Sequence, residues 1–171
     1  MSNFEKNLEQ ALINAKRLTN KILIDGKLIS AQTNNKIPVL NPSTGENIGS
    51  APQCDKNDVN TAVESAHKAF QKWKKIPARE RGKMVAAGAK KLEERKSEIE
   101  TLLSLDTGNA LRTQAIPETG ASIELTNMFA GLSGELKGEN YPTNIPNSIH
   151  YTTRDPIGVV CAIVPWNAPL F

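Results

Sequence analysis

Three observations predict an α/β fold. An unbroken apolar run, Ile157-Gly158-Val159-Val160-Cys161-Ala162-Ile163-Val164, has the length of a strand and ends in the stiff turn Pro165-Trp166-Asn167-Ala168-Pro169. Such a run reads as a strand buried on both faces, the kind that leads a parallel sheet. Ahead of it, long stretches carry apolar residues at helical spacing. Just before it, from Ser148 to Arg154, Ile149, Tyr151 and Thr153 alternate with polar neighbours, the pattern of a half-exposed strand. These pieces do not close a sheet of their own, so the expectation is the front part of a larger α/β protein.

The elements follow in order. Residues 1–20 read as an amphipathic helix, with Ser2 and Glu5 spaced as a capping box and Phe4, Leu8, Ala11, Ala15 and Leu18 on one face. From Lys21 to Ser30 two short strands flank Asp25-Gly26, a hairpin signal. Lys36 to Leu40 is a further extended piece, and the turn chemistry of Asn41-Pro42-Ser43-Thr44-Gly45-Glu46 leads to a short strand from Asn47 to Ala51. Then the period changes: Val59, Ala62, Val63, Ala66, Ala69, Phe70 and Trp73 recur helically, with Asp55 or Asp58 as cap and Ile76-Pro77 as the break. A second, longer helix is expected from about Ala78 to Leu105, with Val85, Gly88, Leu92, Ile99, Leu102 and Leu103 as its apolar face and Gly108 just past its end. Pro117 opens a third, reaching about Leu136, because proline is tolerated at the first helical position. The stretch from Glu135 to Pro146 reads as a loop.

Composition narrows the function. The net charge of +3 is small and the basic residues are interleaved with acidic ones. Even the densest cluster, Lys72, Lys74 and Lys75, reads as a solvated helix face, which argues against a nucleic-acid partner. Cys54 and Cys161 stand far apart in no metal-ligand spacing, which fits a reducing, cytoplasmic setting. No stretch approaches the length of a membrane span, and the N-terminal residues carry too many charges for a signal-peptide core, so no membrane contact is expected.

Several motifs, in order and spacing, resemble the aldehyde dehydrogenase superfamily from about Ile22 onward. They are Asn41-Pro42-Ser43-Thr44-Gly45-Glu46; Ala66-His67-Lys68-Ala69-Phe70-Gln71-Lys72-Trp73 followed by Ile76-Pro77-Ala78-Arg79-Glu80-Arg81; and Leu92-Glu93-Glu94-Arg95 with Leu105-Asp106-Thr107-Gly108. Ala130-Gly131, Arg154-Asp155-Pro156-Ile157-Gly158-Val159-Val160 and Pro165-Trp166-Asn167 complete the set, and the last is the most specific. The resemblance implies the N-terminal part of that family's fold: residues 21–137 as the first segment of the cofactor domain, 138–155 as a loop and oligomerisation strand, and 156–171 as the first Rossmann-like strand with its turn.

It also implies a reaction, oxidation of an aldehyde to a carboxylate with NAD or NADP through a thiohemiacetal. Asn167 matches the residue that donates its carboxamide N–H to the oxyanion; read from the residues alone, it is the cap of a helix opening near Pro169. Ile163, Val164, Pro165 and Trp166 match positions lining the cofactor site, and ordinary strand-end packing can hold for them at the same time. Val39, Leu40 and Asp106 match positions that in some members supply oxygens to a structural monovalent cation, although Asp106 also reads as a helix end. The strand from Ser148 to Arg154 matches one that pairs with another subunit, implying a homo-oligomer; a lone alternating strand needs a partner for its edges. The family's nucleophilic cysteine and general-base glutamate belong to motifs without a counterpart in the chain. Cys161, inside the apolar run, reads as a small hydrophobe with a raised pKa. Cys54, His67 and His150 have no partner at a catalytic spacing. The chain alone is therefore expected to be inactive. The alternative is a non-catalytic interaction module that pairs with itself or a full-length paralogue.

Overall fold

Aspartates and glycines at chain reversals set the layout of the N-terminal third. A computed structural model describes residues 3–171, so Ser2 of the expected capping box lies outside the described residues, as does the side chain of Phe4. Helix α1 (Asn3–Leu18) buries Ala11 and half-buries Leu8 and Ala15, whereas Leu18 is largely exposed. Strands β1 (Lys21–Ile24) and β2 (Lys27–Ser30) form the expected hairpin. Its two-residue loop needs positive φ at both positions, and Asp25 (φ 52°) and Gly26 (φ 71°) supply it. Strands β3 (Lys36–Leu40) and β4 (Asn47–Pro52) pair antiparallel with a register shift between Val39 and Leu40. The turn between them is held by the Asn41 side chain, whose Oδ1 accepts from the Ser43 N–H at 2.9 Å.

Helix α2 (Lys56–Trp73) begins at a full capping box. Asp55 Oδ1 accepts from the N–H groups of Asn57 and Asp58, and Asp58 Oδ2 accepts from the Asp55 N–H at 3.2 Å. Asp58 is buried, because its other oxygen accepts from the Gln32 N–H at 3.0 Å and ties the helix to the strand layer. Asp58→Ala is expected to lower stability by about 1–3 kcal/mol, since it leaves two backbone donors without an acceptor. Chemical denaturation checks this, with Asp58→Asn recovering part of the loss. The expected apolar face of α2 is less covered than its pattern suggests: Val59 and Val63 lie about half exposed.

The single long helix expected from Ala78 to Leu105 is in fact two, α3 (Ala78–Glu94) and α4 (Lys96–Thr107). The break falls at Arg95 (φ −113°, ψ 15°), whose guanidinium folds onto Glu98 with Nη2–Oε1 at 2.6 Å and Nε–Oε2 at 3.0 Å. The pair holds the Glu98 carboxyl below its ordinary pKa, chiefly through the Arg95 hydrogen bond. Asn14 of α1 donates to the same Oε1 at 2.7 Å. Two neighbours explain the bend: α3 packs against α5 (Ile116–Gly131), while α4 packs against α1.

Gly108 (φ 74°) ends α4 in the left-handed conformation, as expected. A π-helical turn, Leu111–Ala115, then precedes α5, so the third helix starts ahead of Pro117 and finishes in a 3-10 turn, Leu132–Gly134, short of Leu136. Where α3 crosses α5, Gly82 lies directly against Ala130, and Ala89 further along α3 is also buried. Thr119 is fully buried and bonds back to the Ala115 carbonyl at 2.9 Å.

Two expectations fail in the C-terminal part. The strand expected over residues 148–154 is short and is not alone: only His150–Tyr151 (β6) lies in a ladder, antiparallel to β5 (Asn140–Tyr141) within the stretch read as a loop. The apolar run from Ile157 to Val164 is not a buried strand. It joins no ladder, and Ile157 and Ile163 are 94% and 93% exposed. A strand buried on both faces needs paired neighbours and a layer on each side, and the three described sheets, each a two-stranded antiparallel ladder, leave this segment unpaired. Cys161 is exposed with the rest of the run, not packed as a hydrophobe. Among the described residues, no helix is long and apolar enough to cross a membrane.

Candidate active site

The turn that follows this open run is the best-anchored part of the C-terminal segment. Asn109, one residue past the glycine that ends α4, donates from Nδ2 to the Asn167 carbonyl at 2.9 Å. Glu118, in the first turn of α5, accepts the Leu170 N–H at Oε1, 3.0 Å away. The turn closes on itself through Phe171 N–H and the Ala168 carbonyl at 3.3 Å. Ala168, Pro169 and Leu170 are half-buried, whereas Trp166 is 88% exposed. So the turn docks on the helical layer by its C-terminal half and projects its Trp166 side outward.

Asn167 is itself exposed, and among the described residues no hydrogen bond engages its carboxamide. A capping residue would spend its side-chain oxygen on a backbone N–H two or three residues on. Here the backbone carbonyl of Asn167 is held and the side-chain donor is left open. A fixed backbone with an unspent N–H is what stabilisation of a developing anion requires.

Ile163, Val164 and Pro165 precede the turn as exposed, non-laddered chain, with both backbone and apolar side chains open. Val39 and Asp106 come together on the wall of a cavity of about 470 Å³ formed with Ile48, Leu102, Pro169 and Leu170; Leu40 does not line it. Among the described residues, no group of three or more His, Cys, Asp or Glu side chains is arranged to hold a metal ion. Cys54 is exposed, and its thiol is pushed above the usual value, first by desolvation and then by the Asp58 and Asp55 carboxylates. That is the wrong direction for a nucleophile.

Glu118 and Asn109 are not legible as site residues in the sequence. Their contacts span 52 and 58 positions along the chain, and no local spacing announces them. The π-helical turn just before Glu118 is the one local irregularity at that place, and such turns often sit beside functional sites.

Comparison with known proteins is consistent along almost the whole chain. The model of the aldehyde dehydrogenase family matches residues 28–171. Phenylacetaldehyde dehydrogenase of Pseudomonas fluorescens is 35% identical over 165 residues, covering 92% of this chain and 33% of the relative. Cytosolic aldehyde dehydrogenase 1 of Mus musculus is 35% identical over 162 residues, covering 93% and 32%. Among solved structures, HpcC from Thermus thermophilus superposes with a TM-score of 0.90 at 28% identity, covering 97% of this chain and 32% of that one. Betaine aldehyde dehydrogenase from Staphylococcus aureus, solved in complex with NAD+, gives 0.87 at 31% identity, covering 96% and 33%. The chain spans about a third of the length of the curated relatives it matches.

Proposed function

Because the chain belongs to the aldehyde dehydrogenase family, we propose that it carries the oxyanion-stabilising turn of an enzyme that oxidises an aldehyde to a carboxylate with NAD or NADP. The observation that carries this reading is the docked turn with the Asn167 backbone held and its carboxamide open. When a thiolate adds to the aldehyde carbonyl, negative charge gathers on the oxygen. A neutral N–H donor fixed there stabilises that charge more than the ground-state carbonyl, so the barrier falls. The balance of the reaction is aldehyde, water and oxidised nicotinamide in, and carboxylate, reduced nicotinamide and protons out.

The residues present fit a nicotinamide cofactor on one side of the turn. Residues 163–166 lie open, with apolar side chains and free backbone groups next to Asn167, suited to the flat face of a ring. The cofactor, when bound, supplies the hydride acceptor. Ile163, Val164, Pro165 and Trp166 would bear and orient it beside the Asn167 donor. The cation reading of Val39, Leu40 and Asp106 has partial support, since two of the three share a cavity wall. A cytosolic setting belongs to the same reading, supported by two free thiols and by the cytosolic mouse relative. So does self-association through residues 148–154, where Ile149 and Tyr151 stand exposed beside a ladder of only two strands.

The 171-residue chain by itself is expected to be inactive, because neither of its cysteines lies in a nucleophile's setting. The test joins the chain to chemistry it lacks: residues 28–171 replace the matched segment of the Pseudomonas phenylacetaldehyde dehydrogenase. Aldehyde-dependent formation of reduced nicotinamide is expected from the chimaera and none from the chain alone, with Cys161→Ser as control. A chimaera that folds and binds NAD+ but turns over no aldehyde would overturn the reading.

A further inference from the structure

We propose that Asn109 and Glu118 are positioning residues for the Asn167 turn, tethering its two ends to the helical layer so that the open carboxamide is held in place. The proposal rests on the reading of Asn167 as an oxyanion donor and deepens it. The tethers act on backbone atoms three residues apart, the Asn167 carbonyl and the Leu170 N–H, and approach from different elements. Each anchor is itself fixed. The Asn109 N–H donates to Thr107 Oγ1 at 3.1 Å, and its carbonyl accepts from Ser104 Oγ at 2.8 Å, so both of its main-chain groups are tied to the end of α4. Glu118 follows the π-helical turn and precedes the fully buried Thr119, which fixes the first turn of α5.

A catalytic donor displaced by about 1 Å can cost about a hundredfold in rate. Two side chains from the helical layer restrain both the position and the tilt of the turn, which one hydrogen bond could not do. Because the bond to Leu170 uses a carboxylate, it is of the stronger, charge-assisted kind.

The test uses the 171-residue chain, labelled with ¹⁵N, and measures amide exchange and the order of the Asn167 side-chain NH₂ by NMR. In the parent chain, the Leu170 amide is expected to be shifted downfield and protected. Glu118→Ala should speed its exchange by about ten- to a hundredfold and loosen the Asn167 NH₂, while amides in α3 and α5 keep their protection. Glu118→Gln, which retains an oxygen acceptor, should restore most of the protection. Asn109→Asp, isosteric but unable to donate, should loosen the Asn167 NH₂ and leave α4 intact. A Leu170 amide as fast in the parent as in Glu118→Ala, or an Asn167 NH₂ indifferent to both variants, would overturn the proposal. No substrate or cofactor enters the measurement, so the two readings fail separately. A tight turn with an inactive chimaera fells the aldehyde reading, and a loose turn in an active one fells the tethers.

Discussion

Gly82→Ala is expected to destabilise the chain by about 2–3 kcal/mol and lower its melting temperature by about 5–10 °C. The sign is informative, because alanine in place of glycine within a helix ordinarily stabilises by up to about 1 kcal/mol. At position 82 a Cβ would lie 2.4 Å from the Ala130 carbonyl oxygen and 2.2 Å from Ser133 Oγ. The serine hydroxyl can rotate away, but the carbonyl belongs to α5 and cannot move alone. To admit one methyl group, α3 must back away from α5, loosening the contact that holds the two helices together. Gly88, on the same helix, is the matched control: a Cβ there meets nothing within 4 Å. Gly88→Ala should therefore raise the melting temperature. Thermal unfolding of both variants decides the matter, and a neutral Gly82→Ala would show that the two helices are less tightly apposed.

Asn167→Ala, made in the chimaera, should lower kcat by about two to three orders of magnitude with little change in KM, the signature of a contact made in the transition state. Binding of NAD+ should persist, since residues 163–166 are untouched. The substitution spares the Asn167 carbonyl, which is what Asn109 holds, so the turn remains docked. Asn167→Asp should be at least as damaging, because it replaces a donor with a negative charge beside the developing anion. Steady-state kinetics supplies the check. A loss below about tenfold would return Asn167 to the ordinary role of a turn residue.

What is legible in the sequence is what local chemistry decides. Asp25-Gly26 makes a hairpin because few other pairs accept positive φ twice in succession. Asp55 caps α2, and Gly108 ends α4, for equally local reasons. The bend at Arg95 is not legible: no glycine or proline marks it, and Leu92 and Ile99 stay in helical phase on either side of the polar stretch 93–98. It arises from two different packing partners, α5 for α3 and α1 for α4, which no window of sequence contains. The run from Ile157 to Val164 shows the opposite limit. Its hydrophobicity is strand-forming, but a strand exists only beside another strand, and pairing is a property of neighbours. The site divides in the same way. Asn167 is visible through its motif, whereas Asn109 and Glu118 reach its turn through contacts spanning 58 and 52 positions.

The bend at Arg95 has a mechanical meaning. A straight helix from Ala78 to Thr107 would be a single rod, answering to whichever partner gripped it harder. With a joint in the middle, α3 answers to α5 and α4 to α1, and Glu98 ties the joint to α1. Glu98 takes the guanidinium of the joint itself and the amide of Asn14 on the same oxygen. The N-terminal helix thus works as a strut, leaning on the elbow of a folded lever whose far arm ends at Asn109, where the turn bearing Asn167 is fastened.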